Sequence, residues 1–167
     1  MTFGPASWRP MQPADLAAVN VLAAVIHPDY PEDEGVFAER LRLYPQGCRV
    51  LERDGRVAAY AVSHPWLDRA PPALNALLGE LPARPSTYYL HDIALLPELR
   101  GSGASVQVVV SLIGQARSEQ LPSLSLIAVN GSAGFWQRQG FEAVVSNALA
   151  EKLRSYGEDA RFMMRTL

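Results

Sequence analysis

Only one cysteine, Cys48, stands among the 167 residues, which excludes an intrachain disulfide framework and a cysteine-built zinc site. It opens a strand-like run with Val50 and Leu51, so a buried structural thiol is its expected role. Long apolar runs are missing too. No segment approaches the roughly 20 apolar residues that span a bilayer, and Met1 to Pro5 lack the basic-then-apolar pattern of a leader. A cytoplasmic protein with no membrane partner is expected. Charge of one sign is also lacking: 15 Lys and Arg stand against 17 Asp and Glu, with no basic run to track phosphates. Nucleic acid is therefore an unexpected partner, and no metal is expected.

What is present suits one domain. The length is that of a single unit, 1–167, and a hydrophobic fraction of 49% supplies a core. Trp8 to Met11 reads as a short strand. A helix follows from about Asp15, rich in Ala, Leu and Val, to near His27-Pro28. Val36, Phe37, Leu41 and Leu43 form the apolar stripe of a second helix, stopped by Pro45 and Gly47. Cys48 to Arg53 and Arg56 to Ser63 are strand-like, and the intervening Asp54-Gly55 is a hairpin turn. The stretch at about 64–86 carries five prolines around one or two possible helical turns, Ala73 to Leu81, and reads as an insertion or connector. Thr87 to Leu96 is a central strand ending at Pro97, and Ala104 to Glu119 a long helix. Ser123 to Val129 is a strand, Ser132 to Gln139 a short helix, and Phe141 to Val145 and Arg161 to Thr166 are two further strands. The order predicts an α+β fold, α/β-like, with a mixed sheet.

The segment Leu95-Leu96-Pro97-Glu98-Leu99-Arg100-Gly101-Ser102-Gly103-Ala104-Ser105 couples a strand end to small residues and a helix start. Unpaired N–H groups at a helix N-terminus attract anions, Gly101 and Gly103 let a phosphate approach the backbone, and Ser102 and Ser105 offer hydroxyls. No Gly-Lys-Ser/Thr ending or third glycine follows, so a triphosphate loop and a dinucleotide fingerprint are both disfavoured. A plain strand-to-helix turn is the rival reading.

Leu95-x-Pro97 with Arg100 to Ser105 resembles motif A of the GNAT superfamily of acyl-CoA-dependent N-acyltransferases, although Ser105 replaces the usual Gly or Ala. Asn130 at a strand end, then Phe135 to Phe141 with Gly140-Phe141, resembles its motif B. The resemblance implies a twisted mixed sheet of six to seven strands, splayed at the central strand, with about four helices. It implies acetyl-CoA as acyl donor, its pantetheine beside Ile93, Ala94 and Leu95, its pyrophosphate on Arg100, Gly101, Ser102, Gly103, Ala104 and Ser105, and Asn130 at the cofactor. The reaction implied is direct attack of a primary amine of a small molecule or peptide, with a non-catalytic acyl-CoA-binding domain as the alternative. Homodimers are common in that superfamily; the sequence neither requires nor excludes one.

His91, four residues before Leu95 and so expected on the same strand face, is the first choice of general base, against the reading of a packed strand residue. Asp92 is expected on the opposite face. The superfamily's usual acid, a helical tyrosine, falls at Trp136, leaving Tyr156 as catalytic candidate and Tyr88 as a second. Tyr30, Glu32 and Glu34, in an acidic and aromatic turn, and Tyr89 are the candidate substrate contacts, the turn favouring a cationic amine. A solvated helix cap is the competing explanation for the acidic residues.

Overall fold

The computed structural model describes residues 6–167, so the expectation drawn from Met1 to Pro5 lies outside the described residues. Asp54 and Gly55 both adopt positive φ, 53° and 74°, the twist a two-residue hairpin turn requires. That turn joins β2 (Cys48–Arg53) to β3 (Arg56–Trp66). With β1 (Ser7–Pro10), β4 (Thr87–Leu95), β5 (Ser123–Ala128), β6 (Glu142–Ala143) and β7 (Arg161–Thr166) they form one sheet in the order β1-β2-β3-β4-β5-β7-β6. Among the described residues only β4 and β5 run parallel, so the sheet is mixed as expected.

Alternation along the strands sorts the core onto two faces. On one, Tyr60, Val62 and Ala94 pack under α1 (Leu16–Ile26) and α2 (Glu34–Leu43) through Val19, Leu22, Phe37 and Leu41. On the other, Tyr88, Leu90, Leu124 and Leu126 pack against Val108, Val109 and Leu112 of α3 (Ala104–Ser118). Trp136 of α4 (Ala133–Arg138) and Phe141 complete that layer. Cys48 is fully buried, and burial pushes its thiol up to about 12, the inert behaviour of a structural cysteine. The start of α1 is fixed by Asp15. Its carboxylate accepts the Gln12 amide at 2.7 Å and a two-pronged Arg9 fork at 2.8 and 2.9 Å, tying β1 to the helix.

Three departures from the sequence reading have physical causes. First, β3 runs on to Trp66, because beyond Val62 it has left β2 behind and has only β4 as a neighbour, where Pro65 is tolerated. The connector is accordingly 67–86. It forms no helix between Ala73 and Leu81, because side chains take its donors: the amides of Leu78 and Gly79 go to Glu39, that of Asn75 to Glu32 and that of Leu74 to Ser155. Second, the strand expected over 141–145 shrinks to the two residues of β6 at the sheet edge. Third, a fifth helix, α5 (Asn147–Lys152), follows Ser146, whose hydroxyl accepts the Leu149 amide.

The irregularity that matters lies between β3 and β4. Val62 pairs with Asp92, but Ser63 pairs with Leu90, so His91 is an extra residue on β4, a β-bulge.

Candidate active site

β5 pairs with β4 only from Tyr88 to Leu90, whereas β3 pairs with β4 as far as Leu95. The strands on the β5 side therefore part beyond Leu90, and the β4 backbone edge there has no ladder partner among the described residues. A cavity of about 380 Å³ occupies the gap. Ile93, Ala94 and Leu95 line one wall and Leu126, Ile127, Val129 and Asn130 the other. Following β4, the lining passes from His91 and Asp92 to Leu95 and then to Arg100 and Ser105.

The loop after β4 takes a single 3-10 turn, Pro97–Leu99, before α3. Gly101 and Gly103 hold φ of 78° and 86°, the left-handed region glycine enters without penalty. The turn engages some of the expected donors: the Arg100 amide goes to Pro97 and the Ser102 amide to Leu99. The Ser102 hydroxyl donates to the Leu99 carbonyl at 2.5 Å and accepts the Ala104 amide, so it is not a spare donor. Among the described residues the amides of Gly101, Gly103, Ser105 and Val106 have no acceptor. These are unpaired N–H groups at the N-terminus of a fifteen-residue helix, an anion-binding arrangement.

The bulge corrects the placement of His91 and leaves Asp92 opposite Leu95, as expected. Strict alternation put His91 on the face of Leu95 and Asp92 on the other. With one extra residue in the strand, His91 and Asp92 both fall on the α1–α2 side, where Phe37 and Tyr60 lie, while Leu95 packs with Leu99 and Ala104 on the other side. Two histidine–carboxylate pairs result. His91 Nε2 lies 2.8 Å from Glu32 Oε1, with side chains only 2% and 6% exposed, and His91 Nδ1 is buried with no partner among the described residues. His27, at the end of α1, has Nε2 3.1 Å from Asp92 Oδ1, within ion-pair range though poorly aimed for a straight hydrogen bond. That pair is 17% and 16% exposed. Tyr60 donates to the second Asp92 oxygen at 2.5 Å. Burial opposes ionisation of Asp92, but His27, His91 and Tyr60 outweigh it and hold the carboxyl below its ordinary value. Burial likewise disfavours a charged His27, yet Asp92 and Glu32 together raise it above its ordinary value.

The other candidates divide. Tyr30, Glu32, Asn130 and Tyr156 line the cavity together with His91. Glu34 begins α2 outside that lining, and Tyr89 is buried beside His64 and Tyr156 rather than facing the cavity. Tyr88 points to the α3 side, its hydroxyl 2.8 Å from Ser63 Oγ, and so is withdrawn from the site. The Tyr156 hydroxyl donates to the Pro72 carbonyl at 3.0 Å, and burial raises its pKa. Trp136 does line the cavity. Leu74 shows that the proline-rich connector forms part of the wall; Trp66 instead turns its indole N–H to the Ala70 carbonyl. Sequence reasoning missed His27, whose only visible signal was a histidine beside the helix-ending Pro28. No helix among the described residues is long and apolar enough to cross a membrane, and no cluster of three potential ligands is placed to hold a metal ion.

The profile of the Acetyltransferase (GNAT) family matches residues 13–141. The chain belongs to that family. Solved structures agree on the fold. GphF, a GNAT-like decarboxylase in complex with isobutyryl-CoA, superposes with a TM-score of 0.79 at 16% identity, covering 96% of this chain and 98% of that one. Ard1 from Thermoplasma volcanium gives 0.72 at 14% identity, covering 97% of each chain. The ribosomal-protein-S18-alanine N-acetyltransferase from Escherichia coli gives 0.65 at 19% identity, covering 97% and 94%. No curated protein matches the chain by sequence.

Proposed function

We propose that the chain is a one-domain N-acetyltransferase that moves an acetyl group from acetyl-CoA to a primary amine of a small molecule or peptide by direct attack. One observation carries the reading: the opening between β4 and β5 leads from unpaired amides at the start of α3 to two histidine–carboxylate pairs. The amides of Gly101, Gly103, Ser105 and Val106, with Arg100 beside them, would hold the pyrophosphate. The unpaired β4 edge over Ile93 to Leu95 would hydrogen-bond the pantetheine amides, as an added strand does, and Asn130 would meet the cofactor from the β5 side. At the far end the acceptor amine would lie among Tyr30, Glu32 and Asp92, carboxylates that favour a cationic acceptor. A base is needed there to free the amine lone pair, and either histidine pair could supply it. Proximity does much of the remaining work.

A second reading, an acyl-CoA-binding domain without turnover, is favoured by Trp136, since an indole replaces the hydroxyl that the resembled motif carries there. Amine-dependent turnover separates the two.

Calorimetric titration with acetyl-CoA, repeated on Gly103→Asp, tests the cofactor site. No described atom lies within 4 Å of a Cβ added to Gly103, so the new carboxylate has room, and Asp is among the residues that best tolerate its positive φ. The wild type is expected to bind, and the variant to bind at least about tenfold more weakly through repulsion of the pyrophosphate. Neither heat nor a thermal shift from acetyl-CoA would withdraw the enzyme reading.

A further inference from the structure

The two histidine pairs are not equivalent. His91 is enclosed: Nε2 is engaged by Glu32 at 2.8 Å, Nδ1 is buried, and the ring packs edge-on against Phe37. Glu32 is itself held by the Asn75 amide at 3.1 Å, which anchors the connector to this corner. Neither nitrogen of His91 faces a substrate without rearrangement. His27 is more open. With Nε2 turned to Asp92, its other nitrogen, Nδ1, lies 3.5 Å from the Asn130 amide nitrogen, which belongs to the opposite wall of the cavity. Asp92 is fixed in turn by Tyr60. A carboxylate 3.1 Å from one ring nitrogen, and a second nitrogen held only by the long contact to the Asn130 side chain, is an arrangement that makes an imidazole an oriented base once Asn130 turns aside.

Resting on the acyl-transfer reading above, we propose that His27, oriented by Asp92, takes the proton from the acceptor amine, and that His91 with Glu32 is a positioning pair that braces the cavity wall. In the step, the amine lone pair forms the C–N bond to the thioester carbonyl carbon while the C–S bond breaks and its electron pair leaves on sulfur. One amine proton passes to His27 Nδ1 and from there to the departing thiolate, leaving amide, free thiol and neutral His27. An amine that binds protonated first loses one proton to solvent.

The groups that set this imidazole are on the surrounding elements. Asp92 faces it from β4, with His91 and, from β3, Tyr60 acting on Asp92 in turn. Tyr30 and Glu32 come from the segment before α2, Asn130 from the turn after β5, and Tyr156 lines the same cavity. Burial pulls the pKa down; the contact and charge of Asp92, then Glu32 and the Ile93 backbone carbonyl, push it up, with a net rise. Catalysis needs the neutral ring, so the rate should climb with pH through the pKa of His27, and removing the Asp92 charge should move that rise to lower pH.

The test measures thiol release from acetyl-CoA with spermidine, tyramine and a lysine-containing peptide, as kcat against pH at saturating amine, together with the acetyl-CoA Kd. His27→Gln should lower kcat roughly 100-fold or more and erase the acid limb, with Kd unchanged within about threefold. Asp92→Asn, a second variant that keeps the shape of the side chain, should shift the limb to lower pH rather than erase it. His91→Gln should retain the limb, whatever it does to KM or stability. A His27→Gln enzyme that keeps the limb and kcat within about threefold overturns the proposal, as does loss of the limb in His91→Gln alone. Absence of thiol release by the wild type with every amine refutes acyl transfer itself, and this inference with it.

Discussion

Replacing Gly47 by alanine should unfold the site from behind. Gly47 follows α2, and an added Cβ would overlap the backbone carbonyl oxygen of Ser63 and lie 2.8 Å from both its carbonyl carbon and its hydroxyl oxygen. The obstacle is backbone, not the end of a flexible side chain, so β2 and β3 must separate locally. Separation also strains a buried pairing, because the Ser63 hydroxyl donates to the Gly47 carbonyl at 2.9 Å and touches the Tyr88 hydroxyl at 2.8 Å. Overpacking costs about 1–3 kcal/mol and a disturbed buried hydrogen bond about 1 kcal/mol more, so a loss of about 3 kcal/mol is expected. For a chain of this size that is a fall in Tm of roughly 6–12 °C. Ser63 also borders the bulge that sets His91 and Asp92 side by side, so activity should fall further than stability alone explains. Urea denaturation read by far-UV circular dichroism measures the loss. A variant within about 0.5 kcal/mol of wild type would refute the close approach and the register built on it.

His64 is buried, and burial lowers its pKa to about 3, against about 6.5 when unfolded. The unfolded chain binds the extra proton between those values, so this contribution is intact above pH 6.5 and lost as pH falls, at up to about 1.4 kcal/mol per unit. In His64→Leu, unfolding free energies measured from pH 7 to 5 should drop about 2 kcal/mol less than in wild type; an unchanged slope would contradict a neutral buried ring. His27, raised rather than lowered, contributes with the opposite sign, stabilising below pH 6.5 and losing effect as pH rises through its folded pKa. Asp15→Ala removes the Gln12 cap and both prongs of Arg9, and should cost about 2 kcal/mol in chemical denaturation; a change below about 0.5 kcal/mol would mean β1 is held otherwise.

Much of the fold was legible because the signals are local. Asp54-Gly55 announced the β2–β3 hairpin, apolar spacing the helices α1, α2 and α3, and Pro97 the end of β4. The turn before α3 was legible for the same reason, since Gly101 and Gly103 mark a tight loop ahead of a helix, whereas the engagement of the Ser102 hydroxyl by Leu99 was not. What failed was non-local. The bulge at His91 exists because β3 changes register at Val62 and Ser63, against which Gly47 packs, and nothing within Thr87 to Leu96 marks it. Period-two reasoning therefore sent His91 to the Leu95 face, when the bulge brings it to the same side as Asp92. The connector likewise looked free to form a helical turn until Glu32, Glu39 and Ser155 were seen to hold its amides. Tyr88, Tyr89 and Tyr156 could not be told apart by sequence, because contacts distant in the chain, with Ser63, His64 and Pro72, decide which phenol lines the cavity.

Mass-spectrometric detection of N-acetylated amine, measured beside thiol release from acetyl-CoA, tests the acyl-transfer reading most directly. Thiol and N-acetyl product should form in equal amounts and only when amine is present, and both should fall in Gly103→Asp. Thiol release without N-acetyl product, or bound acetyl-CoA that no amine consumes, would contradict it.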